Sequence, residues 1–205
     1  TDFTVNDQGM IEWDESGAMA QAHEFTLENM PKTMKTTATD SESGTHEGQA
    51  REELTIVDTI AYTGLIPGDE YTVSGILMDK ATGDPALDDA GSEITASTTF
   101  TAEESCGTVN VTFTFAGASL AGKSLVAFET MEFEGAEYMV HADIGDVEQT
   151  VAIVDIATQA RDAETGTNVG TIGEHVKLID TISYTELTPG NTYKLFTMLM
   201  DKATG

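Results

Sequence analysis

The sequence has few cysteines, tryptophans, prolines and basic residues, and the first shortage already excludes an internal disulfide. Cys106 is the single cysteine, so no pair exists within the chain. Its surroundings, EESCGT, supply acids but no base, which argues against a catalytic thiolate. No hydrophobic run is long enough to span a bilayer and no signal peptide opens the chain. We therefore expect no membrane insertion in this segment, and ends that are cut points in a longer protein.

Basic residues are scarce relative to acidic ones. Nine Lys and Arg stand against 36 Asp and Glu, which gives a net charge of −27. A surface this acidic repels nucleic acids and anionic lipids, so neither is an expected partner. Hydrophobic residues make up 40% of the chain, which is sufficient for a packed core. The 205 residues therefore predict one or two globular domains that bind no nucleic acid.

The chain repeats itself at a constant offset of 122 residues. The stretch TTATDSESGTHEG at 36–48 returns as TQARDAETGTNVG at 158–170. The stretch LMDKATG at 77–83 returns unchanged at 199–205. A fixed offset without gaps is typical of tandem structural repeats.

This repetition predicts three segments. Residues 31–153 form one complete repeat, and residues 154–205 are the N-terminal part of a second, truncated repeat. Residues 1–30 match neither copy. Their stretches GMIEW and HEFTLENMP predict the C-terminal part of a preceding β domain.

Short β-rich runs dominate the complete repeat, and turn signals such as SESGTHEG, IPGDE and KATGDP separate them. No convincing amphipathic helix interrupts them. The pattern predicts an all-β fold, an immunoglobulin-like antiparallel β-sandwich. The predicted strands are 33–39, 54–62, 70–78, 93–100, 108–115, 124–133, 136–141 and 147–154.

Several polar residues are predicted to lie on apolar strand faces, because side chains alternate between the two faces of a strand. In LTIVDTIAY, Asp58 lies in the middle of the apolar face. By the same test Thr36, Glu129 and Gln149 point inward, and His141 is a weaker case. Each residue alone has an ordinary explanation, such as a β-bulge or a hydrogen bond to the backbone. Together they place a hydroxyl, an amide, two carboxylates and an imidazole in one predicted core.

This set of groups has a chemical interpretation. A threonine hydroxyl that attacks a glutamine side-chain carbonyl gives an ester and releases ammonia. The step needs a base for the hydroxyl proton and an acid for the carbonyl and the leaving amine. Imidazole suits the base, and buried carboxylic acids can stay protonated because burial raises their pKa. A core also excludes the water that would hydrolyse the ester.

Five motifs, in the order TTATD, VDTIAY, LMDKATG, LVAFE and H…D…QTV, closely resemble the Thr–Gln ester-bond repeat domains of Gram-positive surface adhesins. These are also called VaFE repeats, and VAFE is here residues 126–129. The resemblance covers about 31–153 fully and 154–205 as a half copy. It implies a CnaB-like, immunoglobulin-like domain whose first and last strands are joined by an autocatalytic ester bond.

The resemblance also implies the site residues. Thr36 would be the nucleophile and Gln149 the acceptor of the cross-link. Asp58, Glu129 and His141 would be the catalytic acid and base groups, and neither a cofactor nor a metal is expected.

The second copy carries only part of this set. Thr158 and Asp180 match Thr36 and Asp58 at the repeat offset. It lacks counterparts of the remaining three residues within this chain, so it is not expected to close a bond of its own.

Three other functions compete with this interpretation. A Lys–Asn isopeptide bond is disfavoured because Lys35 points outward by alternation, and Asn110, the only asparagine in 31–153, is not on the last strand. The same sandwich could instead be a binding module for a host glycan or protein, although Trp13 is the only tryptophan. A hydrolase using Thr36 or His141 with Asp58 would require an open cleft.

We therefore expect a structural stalk repeat of a bacterial cell-surface adhesin. It would perform one self-directed reaction without turnover, so it would not be an enzyme in the usual sense. Its location would be extracellular, with cell-wall anchoring through regions outside this chain. Its partners would be neighbouring repeats of the same chain, and binding of a host ligand would belong to other domains.

Overall fold

The computed structural model describes residues 3–5, 11–13, 31–170 and 172–204. The chain divides into two compact units, Thr1–Met30 and Pro31–Gly205. In the first unit, strand β1 (Phe3–Val5) pairs antiparallel with β2 (Ile11–Trp13), which lies within the stretch GMIEW. Residues 23–30 of HEFTLENMP lie outside the described residues, so the prediction for that stretch stays a prediction.

The second unit consists mainly of β-strands, and its described residues contain a single 3-10 turn, Ala118–Leu120, and no α-helix. Runs of β-branched and aromatic residues with period-two burial form these strands. In chain order they are β3 (Thr33–Asp40), β4 (Glu47–Gln49), β5 (Leu54–Thr63), β6 (Glu70–Asp79), β7 (Thr95–Thr101), β8 (Cys106–Phe115), β9 (Lys123–Phe133), β10 (Ala136–His141), β11 (Thr150–Asp162) and β12 (Leu178–Thr185).

Two sheets pack against each other in this unit. One sheet has the antiparallel order β3-β5-β8. The other has the order β12-β11-β9-β6-β7, with β10 beside β9 and β4 parallel to β11. Both sheets contribute apolar side chains to one core, Ile60 and Val111 from the first and Leu77 and Val151 from the second. The predicted all-β, immunoglobulin-like sandwich is confirmed.

The last predicted strand, 147–154, is wrong at its start. Strand β11 begins at Thr150, and Val147 is 69% exposed rather than buried. A turn precedes the strand, since the Asp146 N–H donates to Asp143 O (3.1 Å) and the Thr150 N–H donates to Val147 O (3.3 Å). Alternation applies to extended backbone, so it does not extend into this turn.

Strand β11 is also longer than predicted. It pairs with β9 through residues 150–153 and then with β12 through residues 155–162. One continuous strand therefore contains both the end of the first copy and the start of the second. Residues 192–201, the counterparts of β6 at the repeat offset, form no strand. In the first copy, β6 pairs with β7 and β9, whose counterparts would be numbered above 205.

Candidate cross-link site

Four polar side chains meet between the two sheets. Strands β3, β5 and β9 carry Thr36, Asp58 and Glu129, and Gln149 immediately precedes β11. Their exposed fractions are 5%, 0%, 1% and 0%, respectively. The burial that alternation predicted for these four residues is confirmed, although Gln149 lies just before the strand rather than within it.

Backbone pairing explains why Gln149 lies between the sheets. The preceding residue, Glu148, accepts a hydrogen bond through its carbonyl oxygen from the Ala38 N–H of β3 at 2.9 Å. The Gln149 carbonyl oxygen accepts from the Ala127 N–H of β9 at 3.1 Å. Consecutive carbonyls therefore bond to opposite sheets, and this crossover directs the Gln149 side chain into the core.

The first sheet sets the position of the hydroxyl and of one carboxyl. Asp58 lies opposite Ala38 in the β3–β5 pairing, and Thr36 is two residues from Ala38 on the same strand face. The Gln149 Nε2 donates to Thr36 Oγ1, and it also donates to Asp58 Oδ1 at 3.2 Å. The side chains of β3, β5 and the turn before β11 are thus in direct contact.

The site also buries oxygen atoms that have no hydrogen-bond partner among the described residues, apart from the proton that Asp58 and Glu129 share. They are Gln149 Oε1, Asp58 Oδ2 and both carboxyl oxygens of Glu129. A buried polar atom without a partner costs about 1–3 kcal/mol, so a core that served packing alone would not retain this set of polar atoms.

Burial and mutual charge keep the two carboxyl groups from ionising together. Burial, reinforced by the charge of Asp58, raises the pKa of Glu129 to about 10. Burial also raises the pKa of Asp58, while its contact with Glu129 and the charge of nearby His141 oppose that rise. Two carboxylates in one dry site share a proton more readily than they both ionise. At neutral pH the two carboxyl groups therefore hold one proton between them.

His141 lies at the edge of this group. It is opposite Glu129 in the β9–β10 pairing, and its side chain is 24% exposed. Its Nε2 lies 2.9 Å from Asp146 Oδ2. Within the described residues no hydrogen bond joins His141 to Thr36 or Gln149, so the ring is a neighbour of the site rather than a contact of the nucleophile.

Asp146 is the residue of this region that the sequence analysis missed. It lies in the turn before β11, where the period-two pattern does not apply. The available signal was its spacing in HADIGDVEQT, five residues after His141 and three before Gln149.

In the second copy, β11 and β12 pair in the same way as β3 and β5 of the first copy, but in the described residues no second sheet packs over them. Thr158 lies opposite Ile182, as Thr36 lies opposite Ile60. Asp180 lies opposite Ala160, which is the counterpart of the Asp58 pairing. Both Thr158 and Asp180 are exposed, since no strands corresponding to β9 and β10 lie over them in the described residues.

The alternatives from sequence have little structural support. Lys35 and Asn110 are both exposed, so an isopeptide bond between them within this core is excluded. Cys106 is exposed and free. The described residues contain no cluster of three or more His, Cys, Asp or Glu side chains suited to a metal ion. Nor do they contain a helix of the length and apolar character that a membrane crossing requires.

Comparison with known families identifies the repeat. A family model described as "T-Q ester bond containing domain" matches residues 32–153 and again residues 154–205. The chain belongs to this family. The threonine and glutamine of the family's description correspond in kind to the buried, hydrogen-bonded pair at the centre of the site.

Solved structures similar to this T-Q ester bond protein include an adhesin. Two crystal forms of a bacterial adhesin from Mobiluncus mulieris, which contains intramolecular disulfide, isopeptide and ester bond cross-links, are 13% and 14% identical. Each alignment covers 74% of this chain and 75% or 74% of the adhesin, with TM-scores of 0.47 and 0.45. A DUF4466 family protein from Parabacteroides merdae, 14% identical, aligns over 69% of this chain and 55% of its own with a TM-score of 0.29. No curated protein matches the sequence significantly.

Proposed function

We propose that the chain is a stalk segment of a bacterial cell-surface adhesin and that its first repeat cross-links itself through an ester between Thr36 and Gln149. The buried contact of Gln149 Nε2 with Thr36 Oγ1 and Asp58 Oδ1 is the observation that carries the proposal. The four side chains of the site are at most 5% exposed, so an external substrate has little access to them. The reaction is therefore self-directed and occurs once per chain.

The bond forms by acyl transfer at the Gln149 side chain. Thr36 Oγ1 attacks Gln149 Cδ, and ionised Asp58 accepts the hydroxyl proton. Asp58 then delivers that proton to Nε2, which its Oδ1 already contacts at 3.2 Å. The C–N bond breaks and the amide nitrogen leaves as ammonia. The hydroxyl proton thus ends on ammonia, and Oε1 becomes the ester carbonyl.

Neutral Glu129 supports the charge that develops in this step. Gln149 Oε1 lacks a donor among the described residues, and Glu129 is buried beside it in contact with Asp58. The O–H of neutral Glu129 supplies that donor when the tetrahedral intermediate places negative charge on Oε1. His141 opposes the rise in the pKa of Asp58, so we assign it an electrostatic role in this step.

The cross-link suits a load-bearing element. Thr36 is on the first strand of the repeat and Gln149 adjoins the last, 113 positions later in sequence. Force applied along the chain enters through β3 and leaves through β11. A covalent bond between the first strand and the last therefore prevents force from extending the residues between them. This load-bearing role fits an extracellular location, with neighbouring repeats as partners and wall anchoring outside this chain.

Two isosteric variants test the chemistry. We expect Asp58→Asn and Glu129→Gln each to slow loss of ammonia at least about 100-fold, because each removes one acid–base group while keeping its shape. The chain would be recovered unfolded, refolded by dilution and followed by intact mass. Asn110→Asp, an exposed amide-to-acid change on β8, is the control and should react at the wild-type rate. Wild-type rates in both site variants would refute the acid–base mechanism.

A further inference from the structure

We infer that Glu47 and Ser124 of the first copy and Glu186 and Thr188 of the second form an interface that fixes the angle between the two copies and is specific to this pair. These four residues are called the junction below. The inference rests on the proposed function, because a fixed angle between repeats matters in an array that works as a stalk. It concerns residues that take no part in the cross-link site.

Two glutamates, one from each copy, make reciprocal contacts at the junction. Glu47 Oε1, on β4, accepts hydrogen bonds from the Thr188 N–H at 3.0 Å and from the Tyr193 hydroxyl at 2.7 Å. Burial raises the pKa of Glu47, but these hydrogen bonds outweigh that effect and hold its pKa below the ordinary value. Glu186 Oε2 accepts from the Ser124 hydroxyl of β9 at 2.5 Å. The two contacts start from different strands of the first copy, so rotation of the second copy about β11 would break at least one of them.

The loop that Glu47 contacts has its own internal hydrogen bond. Within the second copy, the Thr188 N–H also donates to the Tyr193 hydroxyl at 2.9 Å. At the repeat offset in the first copy, the Ile66 N–H donates to the Tyr71 hydroxyl at 3.0 Å. The same bond therefore shapes this loop in both copies. Glu47 thus binds donors that are already in place, which lowers the entropic cost of the contact.

The backbone of Glu186 indicates that its side chain has a role at the junction. Its φ is +61°, in the left-handed region that residues with a side chain rarely adopt. The counterpart in the first copy is Gly64, with φ +79°, and glycine adopts this conformation without a steric penalty. The second copy therefore has a glutamate where glycine fits more easily. The contact of that glutamate with Ser124 explains why a strained residue is present there.

The junction residues differ between the copies at positions where other parts of the repeat are unchanged. The counterpart of Glu47 is Val169, and the counterpart of Glu186 is Gly64. Valine has no hydrogen-bond acceptor in its side chain and glycine has no side chain, whereas the stretch LMDKATG is identical in both copies. The junction chemistry therefore belongs to this pair of copies, and a different neighbour would not make the same contacts.

The single native cysteine allows the angle between the copies to be measured. Cys106 is exposed on the first copy. Glu164→Cys places a second exposed thiol in the turn at the far end of the β11–β12 hairpin. With nitroxide labels on both thiols, double electron–electron resonance gives the distribution of distances between them. Relative motion is the default for domains joined by a small interface, so a narrow distribution in this labelled reference protein would be the signature of a fixed angle.

A double variant removes both glutamates from the junction. Glu47→Val with Glu186→Gly gives each position the residue of its counterpart, and we expect the distance distribution to become at least about twofold wider. The control is Glu137→Val with Glu134→Gly. Glu137 is exposed on β10, and Glu134 is another left-handed glutamate (φ +51°) that follows the opposite end of β9 from Ser124. The control should keep the reference width. An unchanged width in the junction variant, or equal widening in both variants, would overturn the inference.

Amide exchange at Thr188 gives a readout that needs no label. In Glu47→Val this N–H loses its carboxylate acceptor, so we expect its exchange to be at least about 10-fold faster than in wild type. Exchange at the wild-type rate would contradict the inference. Intact mass separates this failure from failure of the proposed function. Both double variants should still lack one ammonia, because their substitutions lie outside the cross-link site, and absence of that deficit in the wild type would refute the ester rather than the junction.

Discussion

Glu129 and Gln149 bring three oxygen atoms into the core that have no hydrogen-bond partner among the described residues, apart from the proton that Glu129 and Asp58 share. At the scale of single residues this is the main departure from ordinary core composition. Such atoms cost about 1–3 kcal/mol each, and replacement by apolar groups of similar shape would remove that cost. Their retention is explained if they take part in a reaction, and a stable cross-link would offset the cost once it forms.

The protonation of Glu129 predicts a pH-dependent stability in the unlinked protein. Its pKa is about 10 when folded against 4.5 for the free side chain, so between these values the folded state holds a proton that the unfolded state has released. Stability should therefore fall as pH rises, by up to about 1.4 kcal/mol per pH unit. Denaturant unfolding of Thr36→Val at pH 5.5 and 7.5 measures this slope.

A second variant isolates the contribution of Glu129 from that of the other acids. Self-repulsion of a chain with net charge −27 also lowers stability as pH rises. The double variant Thr36→Val, Glu129→Gln retains that repulsion and the buried Asp58, but it lacks the titration of Glu129. Its slope should be clearly shallower. Identical slopes in the two proteins would show that Glu129 ionises normally in the folded state.

Sequence alone identified the buried polar residues but not all of their neighbours. Thr36, Asp58 and Glu129 lie within regular strands, where a period of two determines which side chains enter the core. Asp146 lies in a turn, and its contact with His141 depends on how the chain folds back, which no local pattern encodes. The protonation of Glu129 likewise depends on burial and on Asp58, from a different sheet.

At the scale of secondary-structure elements, the long strands were predictable and the sheet assignment was not. The predicted strand 54–62 is observed as Leu54–Thr63, because β-branched residues alternate clearly there. Strand β4 was missed because its three residues, EGQ, show no alternation of apolar and polar side chains. It is a strand only because it pairs with β11, which lies far away in sequence. The extension of β11 past residue 153 depends on pairing with β12, which a single strand does not reveal.

Glycine at one position is required for the two sheets to approach each other. Gly75 on β6 lies opposite Glu129, and a Cβ there would lie 2.6 Å from Phe113 Cζ in the facing sheet. We expect Gly75→Ala to lower the free energy of unfolding by about 1–3 kcal/mol through overpacking. Urea unfolding in the Thr36→Val background measures it. Ser74→Ala, its exposed neighbour, should change stability by less than about 0.5 kcal/mol; equal effects would contradict this packing account.

At the scale of the whole molecule, the cross-link would convert a chain without disulfides into a covalently closed domain. Closing a loop of about 113 residues stabilises the folded state by roughly 4–5 kcal/mol in the chain-entropy model. Strand β11 continues without interruption from the end of this closed repeat to Thr158 of the next copy. In a tandem array, this arrangement would leave only short segments between cross-links free to extend.

Substitutions at two adjacent threonines measure how much the bond adds to the free energy of unfolding. Thr36→Val should unfold at lower denaturant concentration than wild type, with a loss on the order of 4–5 kcal/mol because the loop is no longer closed. Thr37→Val changes the adjacent, exposed side chain of the same strand and should leave the midpoint nearly unchanged. If the two variants unfolded at the same midpoint as wild type, Thr36 would not anchor a stabilising link.

The central claim, that the first repeat closes an ester between Thr36 and Gln149, is tested most directly by the intact mass of the purified, folded chain. Loss of one ammonia lowers the mass by about 17 Da relative to the sequence, and we expect that deficit in the wild type and in Thr158→Val but not in Thr36→Val. A deficit of two ammonias would show that the second copy also reacts, contrary to its exposed Thr158 and Asp180. The full sequence mass in a folded wild-type sample would contradict the account.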